Sequence, residues 1–260
     1  MLAALPQAEL QRWLPQLEWV PLPLGHVLHE SGRAMSHVYF PTTAIVSLQF
    51  VTEGGDSAEI AAVGNEGLVG IALFMGGEST PRRAVVRSAG KGLRMPAQAI
   101  KREFERAGPA QRLLLRYTQT LMTQMAQAAA CNRHHSLDQR LCRLLLQSLD
   151  RLQGNQLVMT QELIANLLGV RREGVTAAAL GLQKAGLICY SRGHITVLDR
   201  AGLEARACEC YAVLKKEHDR LLPEGRATGP HNAGRREFPA RAGAETGRAL
   251  DREVAIAHEV

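Results

Sequence analysis

The period of the hydrophobic positions changes along this chain, and the changes mark its parts. Leu5, Leu10, Trp13, Leu14 and Leu17 fall roughly on one side of a helical wheel, which predicts a short helical entry over residues 2–17. From Val20 to about Met95 the period shortens. Val46, Leu48 and Phe50 alternate with Ser47 and Gln49, the two-residue period of a half-buried strand, and short apolar runs recur at residues 27–29, 38–40, 58–63, 84–88 and 93–95. Turn residues separate them, as in Glu-Gly-Gly-Asp at 53–56 and Gly-Asn-Glu-Gly at 64–67. Short strands at this spacing predict a small antiparallel barrel or sandwich.

Helical spacing returns at residue 96. A short helix over 96–104 is followed, after Gly108, by a run to about Arg133 with no helix breaker. In that run Leu114, Thr118, Leu121, Met125, Ala128 and Asn132 recur at alternating steps of four and three, the seam of a helix pair. Ala126, Ala128 and Ala129 would let two such helices approach closely. Residues 137–152 predict an apolar helix with Leu141, Leu144, Leu145 and Leu149 inward and Arg140, Arg143 and Arg151 outward, ended by Gly154.

Thr160 then stands as an N-cap before Leu163, Ile164, Leu167 and Leu168, a short amphipathic helix. Gly169 supplies a left-handed turn. Residues 171–183 are helical again, with Val175, Ala178, Ala179 and Leu182 as the apolar stripe. Two β-segments, 187–190 and 195–198, flank the turn residues Ser191 to His194, and a helix over 200–222 closes at Pro223. Two helices across a glycine turn, followed by a hairpin, make a winged helix-turn-helix. The second helix leads with chemistry suited to DNA. Arg172 can meet the O6 and N7 of a guanine in fork geometry and Glu173 can accept from a cytosine N4, while Arg171, Thr176, Arg192 and His194 are placed for phosphates. Thr160 and Gln161, at the start of the first helix, complete the candidate set.

In these residues the chain resembles the Crp/Fnr family of bacterial transcription regulators. Arg172 and Glu173 match the Arg-Glu pair of that family's recognition helix, and Gly169 matches its turn. Two positions depart: Arg171 stands where a small hydroxyl residue is common, and Ala177 where some members carry a third base-contacting arginine. The earlier part of the chain resembles the family's cyclic-nucleotide-binding β-roll through Pro23-Leu24-Gly25, Val38-Tyr39-Phe40 and Gly67-Leu68-Val69-Gly70 before Arg82. The resemblance implies an α+β fold with an N-terminal antiparallel, jelly-roll-like β-roll over 1–108. A dimerisation helix over 109–135 and a C-terminal winged helix-turn-helix over 136–222 would follow. Leu114, Thr118, Leu121, Met125 and Ala128 would then form the homodimer seam. It also implies a phosphate-binding cassette, for which Gly70, Arg82 and Arg83 are the candidates. The residue after Gly70 is Ile71, where cyclic-nucleotide binders place a glutamate on the ribose hydroxyl. An unpartnered buried hydroxyl costs about 1–3 kcal/mol, so the expected effector is a small molecule other than cyclic AMP.

Composition narrows the rest. The 46% apolar content of 260 residues supports two domains with cores, and 4% aromatic content argues against stacking platforms for single strands. A net charge of +6 suits a polyanionic partner without singling one out. Residues 223–260 are rich in Gly and Arg without apolar period, and are expected to be a disordered tail. No signal peptide or spanning segment is expected, so the reading is a cytoplasmic protein partnered by double-stranded DNA, a second copy and RNA polymerase. Five cysteines, Cys131, Cys142, Cys189, Cys208 and Cys210, fit a reducing compartment. Adjacent His134 and His135, near Cys131, cannot share a helix face and no second Cys/His pair sits close in sequence, while Cys208 and Cys210 read as small buried thiols on a helix, so neither cofactor nor metal is expected. No nucleophile–base motif points to an enzyme. The alternative is a sensory module whose winged helix engages protein instead of DNA.

Overall fold

The computed structural model describes residues 1–55 and 57–222; the expected tail at 223–260 lies outside the described residues. After a short helix α1 (Gln7–Trp13), the chain folds into two antiparallel sheets. One has the order β1 (Glu18–Leu22), β7 (Gly90–Pro96), β3 (His37–Pro41). The other runs β2 (Val27–His29), β6 (Arg83–Ser88), β4 (Ile45–Val51), β5 (Ser57–Val63). Both sheets are open, which decides for a sandwich-like roll over a closed barrel. Val38, Phe40, Ile45, Val46, Leu93 and Met95 are buried, and Trp13 is buried with them, its ring 6.0 Å from that of Phe40. Strand β1 is not legible in the hydrophobic pattern because Pro21 interrupts it. The proline is tolerated because β1 pairs only with β7, at the sheet edge. Ser47, expected to face outward, is fully buried: residues 45–48 are covered on both faces, so alternation fails there.

Helix α2 (Ala97–Glu105) leads to α3 (Pro109–His134), whose Pro109 occupies the first turn, where a missing N–H costs nothing. Tyr117 of α3 donates to the Leu68 carbonyl at 2.8 Å. A Cβ on Gly67 would stand 2.4 Å from that phenol oxygen, so only glycine lets α3 lie this close to the roll. The expected homodimer seam is corrected here. Leu114, Thr118, Leu121 and Ala128 are buried within the single chain, and Met125 is partly covered and hydrogen-bonded by Arg82. Helix α3 packs on α2, on β5 and on α8 (Cys210–Leu221). The roll and α8 claim the more apolar stripe. The same four-three spacing one residue later, Leu115, Gln119, Met122, Ala126, Ala129 and Arg133, is exposed.

Helix α4 (Leu137–Leu149) starts at a capping box in which Ser136 and Gln139 bond reciprocally. Arg140 and Arg143, expected outward, are each only 8% exposed. Arg140 donates to the carbonyl of Leu168, an orphan acceptor at a helix end that a cation satisfies well. Arg151 is also turned inward, onto Glu66 of the roll. The helix expected over 200–222 is two helices, α7 (Arg200–Arg206) and α8, because Ala207 is extended with ψ 154°. Among the described residues no helix is long and apolar enough to cross a membrane.

Candidate nucleic-acid interface

The helix-turn-helix is formed by α5 (Gln161–Leu168) and α6 (Arg172–Lys184). Thr160 caps α5, its hydroxyl accepting from the Leu163 N–H at 3.1 Å. Gly169 takes φ +62°, ψ 45°, and the Val170 N–H returns to the Ala165 carbonyl at 3.0 Å. Ile164, Leu167, Leu168, Val175, Ala178, Ala179 and Leu182 join α4 in one buried cluster, so the two helices sit on a rigid base.

The wing has three strands, β8 (Gln156–Val158), β10 (His194–Val197) and β9 (Ile188–Ser191), in that order. Strand β8 escapes the sequence pattern because three residues show too little periodicity. Ser191 pairs with His194 across a two-residue turn in which Arg192 (φ +49°) and Gly193 (φ +82°) are both left-handed. Such a turn matches the twist of its flanking strands and projects the Arg192 side chain from the tip. The tip is anchored. The Met159 N–H donates to the Gly193 carbonyl at 2.8 Å, and the Tyr190 hydroxyl donates to the Met159 carbonyl at 2.8 Å. Burial raises the Tyr190 pKa and Arg172 opposes this weakly, so the phenol remains a donor.

Of the DNA-contact candidates, Arg171, Arg172, Glu173, Arg192 and His194 are exposed. Arg172 and Arg192 line one concavity with Thr160, Gln161, Glu162, Tyr190 and Gly193, between the start of α5, the start of α6 and the wing. Glu162 and Tyr190 are not candidates on sequence grounds, because their place follows only from how wing and α5 meet. Thr176 differs from its expected role. Its hydroxyl donates at 2.8 Å to the Gln161 side-chain oxygen and lies 3.1 Å from the Arg172 carbonyl, so it ties α5 to α6. Gln161 therefore has N–H donors left to offer a ligand.

The cassette candidates are spread apart in their contacts. Gly70, at φ +107°, packs on Val38 and the His37 carbonyl. Arg82 donates to Thr80 at 3.0 Å and reaches Met125 of α3, while Arg83 pairs with Glu30 at 3.2 Å. Ile71 is buried.

Residues 139–206 match the family model described as the Crp-like helix-turn-helix domain. Solved structures extend the likeness beyond that domain. FixK2 from Bradyrhizobium japonicum aligns with a TM-score of 0.65 at 15% identity over 74% of this chain and 98% of its own. A CRP-family transcriptional regulator from Thermus thermophilus aligns at 0.58, with 20% identity over 72% and 96% of the two chains. The chain has the Crp/Fnr fold and carries a Crp-like helix-turn-helix domain. A second Thermus thermophilus regulator, of the CRP/FNR family, aligns at 0.57, with 21% identity over 73% and 98%. No curated protein sequence matches the chain. Within the Crp-like domain, the concavity at Arg172 and Arg192 is built from α5, α6 and the wing together.

The expectation of no metal site is corrected in its premise. His134 is exposed, but His135, at the junction of α3 and α4, comes together with Cys131, Cys208 and Cys210, their ligand atoms all within 4.8 Å of one another. Sequence distance hides this: the break at Ala207 carries Cys208 and Cys210 back to the end of α3.

Proposed function

We propose that this chain is a sequence-specific DNA-binding transcription regulator of Crp/Fnr type that works as a homodimer. The observation that carries the reading is Arg172. It opens α6 as an exposed guanidinium on a fully packed base, beside the Arg192 wing tip. In this reading α6 enters the major groove, Arg172 and Glu173 read base edges, and Arg171, Arg192 and His194 hold phosphates. In that role its partners are double-stranded DNA and RNA polymerase, and its compartment the cytoplasm. The salt dependence of duplex binding tests it. With six or more phosphate contacts, affinity is expected to fall on the order of a thousand-fold between 50 and 200 mM salt. Binding that barely changes with salt would favour a module that engages protein.

The homodimer seam we propose is the exposed stripe of α3. Leu115 and Met122 are 48% and 61% exposed, and the small residues Ala126 and Ala129 continue their line. That is the spacing of knobs packing into holes of a second helix. Met122→Asp is expected to shift the protein from dimer to monomer in sedimentation with its fold intact; an unchanged dimer would place the seam elsewhere. We propose further that cyclic AMP is not its effector, since Ile71 is buried and Arg82 and Arg83 are engaged within the chain. A small effector of other chemistry would act by favouring one arrangement of α3, which Arg82 already touches at Met125.

A further inference from the structure

The end of α3 and the start of α8, with the residues just before it, bring three thiols and one imidazole together. The Cys131 and Cys208 sulfurs are 3.6 Å apart, and the Cys210 sulfur is 3.4 Å from Nδ1 of His135. The three cysteines are between 0% and 2% exposed. We propose that Cys131, His135, Cys208 and Cys210 bind one zinc-class divalent ion in a tetrahedral Cys3His site.

The spacing fits that ion. With metal–sulfur bonds of about 2.3 Å, the edges of a tetrahedron of thiolates are about 3.8 Å; the Cys131 and Cys208 sulfurs are 3.6 Å apart and all four ligand atoms lie within 4.8 Å of one another. A donor set of three soft thiolates and one imidazole, all supplied by the protein with no open position, is that of a structural zinc site. An iron–sulfur cluster needs its ligands further apart, to make room for several irons and sulfides.

The surroundings provide what such a site needs. Nε2 of His135 lies 3.1 Å from the Glu209 carboxylate, the arrangement that leaves Nδ1 as the metal-binding nitrogen and holds the ring in place. The Gln127 amide donates to the Cys210 sulfur at 3.0 Å, a bond that steadies a thiolate. Three thiolates, a neutral imidazole and a divalent ion leave one net negative charge in a buried place. Arg140 and Arg143 are buried within the electrostatic reach of these sulfurs, Arg140 of Cys131 and Cys208, and Arg143 of Cys131. Each has a buried Nε that lacks a hydrogen-bond partner among the described residues. Two buried cations beside three neutral thiols are an unbalanced arrangement, whereas beside a metal thiolate centre they compensate its charge.

Ion binding would fasten α8 to α3 and fix the junction at His135 from which α4 departs. The site thus joins the long helix to the base of the Crp-like domain, and its occupancy is independent of whether that domain reads DNA.

The test is made on the full chain, purified under reducing conditions. Elemental analysis is expected to find about one zinc per chain. Cobalt(II) added to the stripped protein is expected to give the visible bands of a tetrahedral centre with thiolate-to-cobalt charge transfer. Cys208→Ser and Cys210→Ser should each weaken cobalt binding at least ten-fold, while Cys189→Ser, at an exposed residue outside the cluster, should not. His135→Gln keeps all three thiolates and should retain charge transfer with altered ligand-field bands, so a readout survives if a serine variant misfolds. A folded, reduced protein that shows no charge transfer with cobalt would overturn the site. So would Cys210→Ser protein binding cobalt as the native chain does.

Discussion

Arg172→Ala is expected to relax sequence preference at the base it reads while leaving salt-sensitive binding to any duplex. Loss of a bidentate contact to a base is worth about 1–3 kcal/mol, so affinity for the preferred site should fall roughly ten- to a hundred-fold. Affinity for unrelated duplex should change little. The fold should be unaffected, because the side chain is exposed and the Arg172 carbonyl that faces the Thr176 hydroxyl is kept. The comparison with Arg192 separates reading from holding. Arg192→Ala at the wing tip should weaken binding to all sequences alike and reduce the salt slope by about 1. Competition titrations with specific and random duplex distinguish the two outcomes. An Arg172→Ala protein that keeps its preference would mean that other side chains of the domain read the site.

Glu66→Gln is expected to be the most destabilising of the substitutions considered. Glu66 meets Arg151, two residues past α4, at 2.7 Å and accepts from the Gly64 N–H at 3.1 Å, and Arg151 also reaches the carbonyls of Gln147 and Ala62. The two side chains are 17% and 13% exposed. Removing one charge of such a pair strands the other, a loss of about 3 kcal/mol that urea unfolding would show as a lower midpoint at unchanged slope. Arg87 extends the same seam, pairing with Glu59 at 3.4 Å and donating to Ser148 of α4 at 3.2 Å. The pH dependence has a definite sign. Burial alone would raise the Glu66 carboxyl, but Arg151 and the backbone N–H groups outweigh it and hold the pKa below its ordinary 4.5. A carboxyl depressed on folding contributes fully above its unfolded value and loses that contribution as pH falls through the folded one. The stability gap between native and Glu66→Gln protein should therefore be full above about pH 4.5 and shrink as pH drops below it.

Local rules make the DNA-facing end legible. The cap at Thr160, the left-handed turn at Gly169 and the stripe Val175, Ala178, Ala179, Leu182 are each decided by a few neighbouring residues, and all are found as expected. The strands of the roll are likewise legible wherever one face is buried. What fails are features decided by partners distant in sequence. The exposed α3 stripe lies one residue from the expected seam because two stripes share a spacing of four and three, and only the roll and α8 determine which one is covered. Arg140, Arg143 and Arg151 read locally as solvated cations. Their acceptors and neighbours, Leu168, the cysteine cluster and Glu66, lie outside any local window. The Cys131, His135, Cys208 and Cys210 cluster spans about eighty residues of sequence and depends on an extended residue at Ala207, which no helical pattern announces. Gly64 and Gly67 read correctly as turn residues. That their missing Cβ atoms make room for Arg151 and Tyr117 emerges only from packing.

The claim on which the functional reading rests is that paired α6 helices of a dimer read bases in the major groove. Selection of bound fragments from a pool of random duplex DNA tests it most directly. The expected result is enrichment of an inverted repeat whose half-site centres lie about one helical turn, roughly 34 Å, apart. The enrichment should weaken, and selection at the base pair Arg172 reads should disappear, when the selecting protein carries Arg172→Ala. A native protein that enriches no sequence, or an Arg172→Ala protein that enriches the same one, would contradict it.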